Sequence, residues 1–246
     1  MRFNLPTPSI AAALLLLVVC LPPVADAEEG ASSEPSGAPD LRQSSPRMCA
    51  EWEPALGTLI RWPLGIPSAL VVELAADDSL YVLVESQSQQ QQATSTFVSW
   101  GVTMNHVRFI QAETYSHWTR DWGPHSILDS SGQWQILDPL FEGYPWVPGD
   151  KAKRNSYNRS RGWEEDDVVN AVLANEFACS LIVLPAYLTG GNIMVDGLGA
   201  AFSTQQMLDE NASLMSESEF FSLLENHAGI GDYHILSNTE NYGIQH

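Results

Sequence analysis

Positive charge is scarce: 11 Lys and Arg stand against 30 Asp and Glu, a formal net charge of −19 over 246 residues. Nucleic acid and anionic membrane, which need a basic footprint, are poor partners for such a surface. A cationic substrate is drawn to it, although the same charge also serves solubility in an extracellular or saline medium. Cysteine is nearly absent, with only Cys20, Cys49 and Cys179 in the chain. Two cysteines beyond the N-terminal segment could pair, but they make no disulfide scaffold. Neither has a nearby His that would mark a thiolate nucleophile, and Cys179 lies in an apolar run where a buried inert thiol is the default. His106, His117, His125, His227 and His234 show no metal-ligand spacing, so no metal and no cofactor are expected. The Gly190-Gly191 pair is followed by neither a Lys-Ser/Thr nor a G-x-G-x-x-G pattern, which argues against a nucleotide enzyme.

A bilayer-spanning run is lacking too. The apolar stretch 10–21 is shorter than the roughly 20 residues a membrane helix needs. With Arg2 before it and Ala25-Asp26-Ala27 after it, it reads as a secretory signal covering residues 1–27. Val19 before Cys20 is larger than a lipoprotein signal would carry. Cleavage removes one base, Arg2, and one acid, Asp26, so the charge stays at −19. Residues 28–47, rich in Ser, Pro, Gly, Ala and acids, are expected to be a disordered linker. The folded part is then 48–246, enough for one domain, exported to the periplasm or the extracellular space.

Within it, strand and helix patterns alternate. Strands are expected at 58–62, 80–85, 107–110, 181–184 and 233–236, and helices at 67–76, 88–100, 164–177 and 217–227. Ser216-x-x-Glu219 is a capping box for the last helix. Two hairpins are expected, 125–128 with 134–137 and 193–195 with 200–203, and 140–163 reads as an irregular insertion. The class is α/β with hairpins, not a strict βαβ series.

What the chain does have in concentration is aromatic and acidic chemistry at 118–125, Trp-Thr-Arg-Asp-Trp-Gly-Pro-His. Trp118 and Trp122 bracket Asp121, and Gly-Pro stops the segment from continuing as helix or central strand. A carboxylate accepts two parallel hydrogen bonds from a guanidinium, and an indole face holds a cation. The alternative is a buried aromatic loop with Asp121 paired to Arg120 or capping a turn. Arg159 and Arg161, two apart in extended chain, point the same way and could clamp one carboxylate, or pair with the acids at 164–167. The glycines 190 and 191 allow either a ligand or another strand close to the backbone, and Asp196-Gly197 suits a tight turn. Asn158 and Asn211 are formal glycosylation acceptors.

Glu51-Trp-Glu-Pro, Trp118-Thr-Arg-Asp-Trp-Gly-Pro, Tyr157-Asn-Arg-Ser-Arg, Gly190-Gly-Asn-Ile-Met-Val-Asp-Gly-Leu-Gly and Tyr242-Gly-Ile-Gln-His occur in this order. In that order they resemble the bacterial-type peptidylarginine deiminases, which belong with the agmatine deiminases in the guanidine-modifying pentein superfamily. The resemblance implies an α/β propeller of five pseudo-repeated ββαβ units, of which this chain would be a part. It implies that Asp121 binds the substrate guanidinium, Trp118 packs on the substrate, and Arg159 and Arg161 hold the carboxylate of a C-terminal arginine. His246 falls where the family has the general acid/base His of a His-x-Asp pair. The implied partner is an arginine-containing peptide or a small guanidino compound, converted by attack of a cysteine thiolate with loss of ammonia.

Two departures accompany the match. Agmatine deiminases carry a histidine where this chain has Met194, which favours the peptidylarginine branch. The chain stops at His246, before the expected Asp and nucleophilic Cys, so a truncated and inactive deiminase is expected. The competing readings are a secreted agmatine deiminase and a non-catalytic module that binds arginine or peptides ending in it.

Overall fold

The computed structural model describes residues 15–18, 46–143 and 164–237. In chain order the strands are Leu15–Val18 (β1), Arg47–Met48 (β2), Ala55–Arg61 (β3), Leu80–Val84 (β4), Val107–Gln111 (β5), His125–Leu128 (β6), Trp134–Leu140 (β7), Ser180–Tyr187 (β8), Ile193–Val195 (β9), Ala200–Thr204 (β10) and Asp232–Leu236 (β11). The helices are Ser68–Asp77 (α1), Gln87–Trp100 (α2), Thr119–Trp122 (α3), Glu164–Asp167 (α4), Val169–Glu176 (α5), Gln206–Asn211 (α6) and Glu217–Ala228 (α7).

The uninterrupted apolar run Leu-Tyr-Val-Leu-Val becomes β4, buried at every position within a sheet ordered β1-β3-β4-β5. Strands β3, β4 and β5 are parallel, joined by α1 and α2. Period-two alternation assigns the faces. Ile60, Leu80, Val82 and Val84 meet Val71, Ala75 and Phe97 of the helices. Leu59, Tyr81 and Leu83 point the other way, onto Trp122, Ile136 and Leu173. Helix α2 opens on Ser86, whose side chain accepts the Gln89 N–H, and closes on the left-handed Gly101.

The second sheet, β2-β6-β7-β8, and the third, β11-β10-β9, are reached by one route. In each, an antiparallel hairpin (β6–β7, β9–β10) is followed by helices and then by a strand parallel to the hairpin's second member (β8, β11). Met48, Ile127, Leu184, Val195 and Phe220 pack these two sheets and α7 into one core. The capping box at Ser216 and Glu219 is formed as expected. The result is a mixed α/β fold; among the described residues its sheets close no barrel.

Several local expectations change. The helix expected over 164–177 divides at Val168 into α4 and α5, because Asp166 and Asp167 serve backbone N–H groups of Tyr115, Ser116 and Phe141 outside it. A one-turn helix, α3, occupies part of the aromatic segment, and α6 follows β10 where no helix was expected. Inside the segment read as a signal, Leu15–Val18 pairs antiparallel with the outer edge of β3, covering backbone groups that an edge strand leaves open. Asn211, a formal glycan acceptor, is 2 % exposed. Its side chain bonds both backbone groups of Tyr187 and the Met207 carbonyl, so it is consumed by the fold.

Candidate active site

The aromatic segment is held from both ends. Upstream, the loop after β5 is gripped by Arg61 at the end of β3, whose Nε donates to Thr114 Oγ1 at 2.6 Å and whose Nη2 donates to the Thr114 carbonyl at 2.6 Å and to Glu85 at 2.5 Å. From the opposite side, Asp166 accepts the Tyr115 N–H at 2.8 Å and the Ser116 N–H at 3.0 and 3.2 Å. Burial pushes the Asp166 carboxyl up to about 7, against these hydrogen bonds and the Arg61 charge. Ser116 Oγ in turn accepts the Trp118 N–H at 3.1 Å. The His117 ring lies against Gly65 and tilts on the Trp118 indole with ring centres 4.7 Å apart. Thr119 Oγ1 donates to the Leu59 carbonyl and seats α3 on β3.

Downstream the anchor is apolar. Trp122 is 1 % exposed and belongs to the core between the first two sheets. Gly123 follows at φ +127°, a backbone region that side chains rarely adopt, and an added Cβ would lie 2.5 Å from Asn170 Oδ1. Asn170 Nδ2 donates to the Trp122 carbonyl at 3.2 Å and to Asp138 at 2.9 Å.

Between these anchors sit Arg120 and Asp121. Asp121 is 1 % exposed, and Trp118 is half-buried. Arg120 crosses to two other motifs: it pairs with Glu51 and donates to the Ile193 carbonyl at 3.2 Å. Burial lowers the Arg120 pKa, and the neighbouring Asp121 opposes that shift. Gly190 touches the same turn, since a Cβ there would lie 2.0 Å from the Arg120 carbonyl oxygen and 3.0 Å from His125 Cε1. His125 Nε2 donates to the Leu188 carbonyl at 3.2 Å, and burial, with help from the Arg120 charge, pulls its pKa down to about 4. The first and fourth motifs join a second time: Arg47 forms a two-pronged pair with Glu53 at 2.7 and 2.8 Å and donates to the Gly197 carbonyl at 3.2 Å.

Three of the five sequence motifs therefore converge. Of the two indoles expected to bracket Asp121, only Trp118 stays on the open side; Trp122 has become core, because its place behind α3 faces the β3–β4 surface. Arg120 reaches Glu51, and Asp121 acts on it as a neighbouring charge. The paired glycines admit a neighbouring backbone, that of α3, and Asp196 is the turn residue, accepting the Leu198 and Ala200 N–H groups. Met194 is exposed on β9. Arg159, Arg161, His246 and Asn158 lie outside the described residues. Cys49 and Cys179 are not joined in a disulfide: Cys49 packs against Leu128, Ala55 and Trp134, and burial pushes the Cys179 thiol pKa up. Arg120, Asp166 and Asn170 were not singled out from sequence as supports of the site.

Known proteins supply the family and the fold likeness. The model of the Porphyromonas-type peptidyl-arginine deiminase family matches residues 47–242. The agmatine deiminase of Pseudomonas aeruginosa is 26 % identical over 199 residues, 72 % of this chain and 47 % of that protein. The agmatine deiminase of Ectopseudomonas mendocina is 25 % identical over 199 residues, 74 % of this chain and 50 % of that protein. The chain spans about half the length of the curated relatives it matches. In fold it is similar to the agmatine deiminase of Enterococcus faecalis, with a TM-score of 0.63 at 19 % identity over 80 % of this chain and 54 % of that one. The chain belongs to the Porphyromonas-type peptidyl-arginine deiminase family.

Proposed function

We propose that these residues form the guanidinium-binding part of an exported deiminase acting on peptidyl-arginine. The observation that carries this reading is the meeting of Glu51, Arg120, Ile193 and Gly190 around the turn that bears Trp118 and Asp121. Asp121 would accept hydrogen bonds from the planar cation, while the half-open Trp118 indole covers its face. A thiolate adds to the guanidinium carbon, ammonia departs, and water hydrolyses the thiouronium to citrulline and the free thiolate. Both proton transfers are assigned to His246, and the carboxylate of a C-terminal arginine to Arg159 and Arg161. The apolar surroundings of Cys49 and Cys179 suit neither thiol to the attack, so the nucleophile is assigned outside these 246 residues. The reaction draws on side chains alone. Two sheets of one connectivity support reading the fold as part of a five-unit propeller. The pattern at 1–27 supports export.

A second reading has its own support, because the relatives bear the name agmatine deiminase. Met194, exposed at the position where the family resemblance places a histidine in agmatine deiminases, favours the peptide substrate. Ammonia and citrulline assays with a peptide ending in arginine, beside agmatine, separate the two. The 246-residue polypeptide should turn over neither, and a longer product of its gene should favour the peptide. Citrulline made by the 246-residue polypeptide overturns the assignment of the nucleophile, and failure of the longer product on both compounds overturns the deiminase reading.

A further inference from the structure

Asp166 is 0 % exposed, the one fully buried carboxylate on a four-residue acidic helix whose other acids are exposed or part-buried. Its oxygens accept three hydrogen bonds, all from the backbone of Tyr115 and Ser116, about fifty residues earlier in the chain. Ser116 then fixes the Trp118 N–H, and Trp118 leads directly into Thr119, Asp121 and the contacts described above. We infer that Asp166 is a positioning residue of the guanidinium site, holding the 115–116 backbone so that Trp118 and Asp121 are presented together. This rests on the proposed guanidinium reading.

The physical case is one of supply and cost. Two successive N–H groups buried without acceptors would be expensive, and a carboxylate is the one side chain that can take both with two oxygens. The charged groups facing it are Arg61 from β3, which also grips Thr114 of the same loop, and Glu165 from its own helix. Burial has brought the carboxyl close to neutrality, so the clamp can lose its charge within the range where proteins work. Once protonated, one oxygen becomes a donor and faces N–H groups that are also donors. An asparagine there sets up the same mismatch permanently.

The test is isothermal titration of the 246-residue chain with agmatine and with a peptide ending in arginine, at about pH 8 and about pH 6, for wild type and Asp166→Asn. Wild type should lose about tenfold in affinity on going to the lower pH. Asp166→Asn should bind about tenfold more weakly at the higher pH and show no step between the two. Hydrogen exchange at Tyr115 and Ser116 should accelerate in the variant, a local change that a general loss of stability would not confine to two amides. Should the variant not fold, wild type decides: affinity unchanged across the two pH values overturns the role. Binding that ignores both pH and the substitution overturns the role while leaving the guanidinium site intact. No binding by wild type at either pH rejects the site itself, and the role with it.

Discussion

Trp118 and Trp122 sit one helical turn apart in one short motif, and the fold uses them oppositely. Trp122 is sealed between two sheets, with Asn170 fixing its carbonyl. Trp118 is half-open, hung on Ser116 and leaned on His117. One indole is the foundation and the other stays partly open to solvent, and Asp121 lies between them in the chain. What separates them is their place relative to α3: Trp122 is its last helical residue, packed on the Leu59 and Leu83 side of the first sheet, whereas Trp118 is its N-cap, at φ −84° and ψ 64° outside the helix.

That division can be broken from its most rigid point outward. Gly190→Ala should have the largest effect, because its Cβ meets a backbone oxygen at 2.0 Å and no flexible side chain can yield. A loss of more than about 4 kcal/mol, or failure to fold, is expected by chemical denaturation. Trp122→Ala should cost about 3–5 kcal/mol by the same measurement. Trp118→Ala should cost about 1 kcal/mol or less, yet weaken agmatine binding at least about tenfold. Equal stability losses for the two tryptophans would erase the distinction.

Acid should act on the foundation through His125. Its folded pKa, about 4, lies below the unfolded value of 6.5, so its contribution is complete above 6.5 and is lost as pH falls toward 4. That loss approaches about 3 kcal/mol and should be absent in His125→Gln. Asp166 has the opposite sign: raised from 3.8 to about 7, it contributes most below 3.8 and loses that contribution as pH rises through 7. Stability profiles of the two variants should therefore diverge from wild type in opposite directions between about pH 4 and 7. The smallest effect is expected at Glu51→Gln, a partly exposed pair with Arg120, at about 1 kcal/mol or less and diminished by salt.

Local chemistry made much of the fold legible. Alternating and continuous apolar runs marked strands in all three sheets, β1 and β2 excepted, Gly101 marked the end of α2, and Ser216 with Glu219 marked the start of α7. The supports of the site left no such mark. Glu51 and Arg120 are 69 positions apart, Asp166 and Ser116 are 50 apart, and Asn170 reaches Trp122 across 48. Side chains that serve distant backbone follow no helical or strand period, so Asp166 reads from sequence as a first-turn acid. The break at Val168 has the same origin, since the carboxylates before it answer to other segments. Trp122 shows the converse: a residue whose chemistry suits a pocket is claimed by the largest nearby apolar surface.

The central claim is that Asp121 grips a guanidinium beside Trp118. Isothermal titration of agmatine and of a peptide ending in arginine into wild type and Asp121→Asn tests it most directly. Binding by wild type and a loss of at least about a hundredfold in a folded Asp121→Asn chain is the predicted result; equal binding by both, or none by wild type, would contradict it.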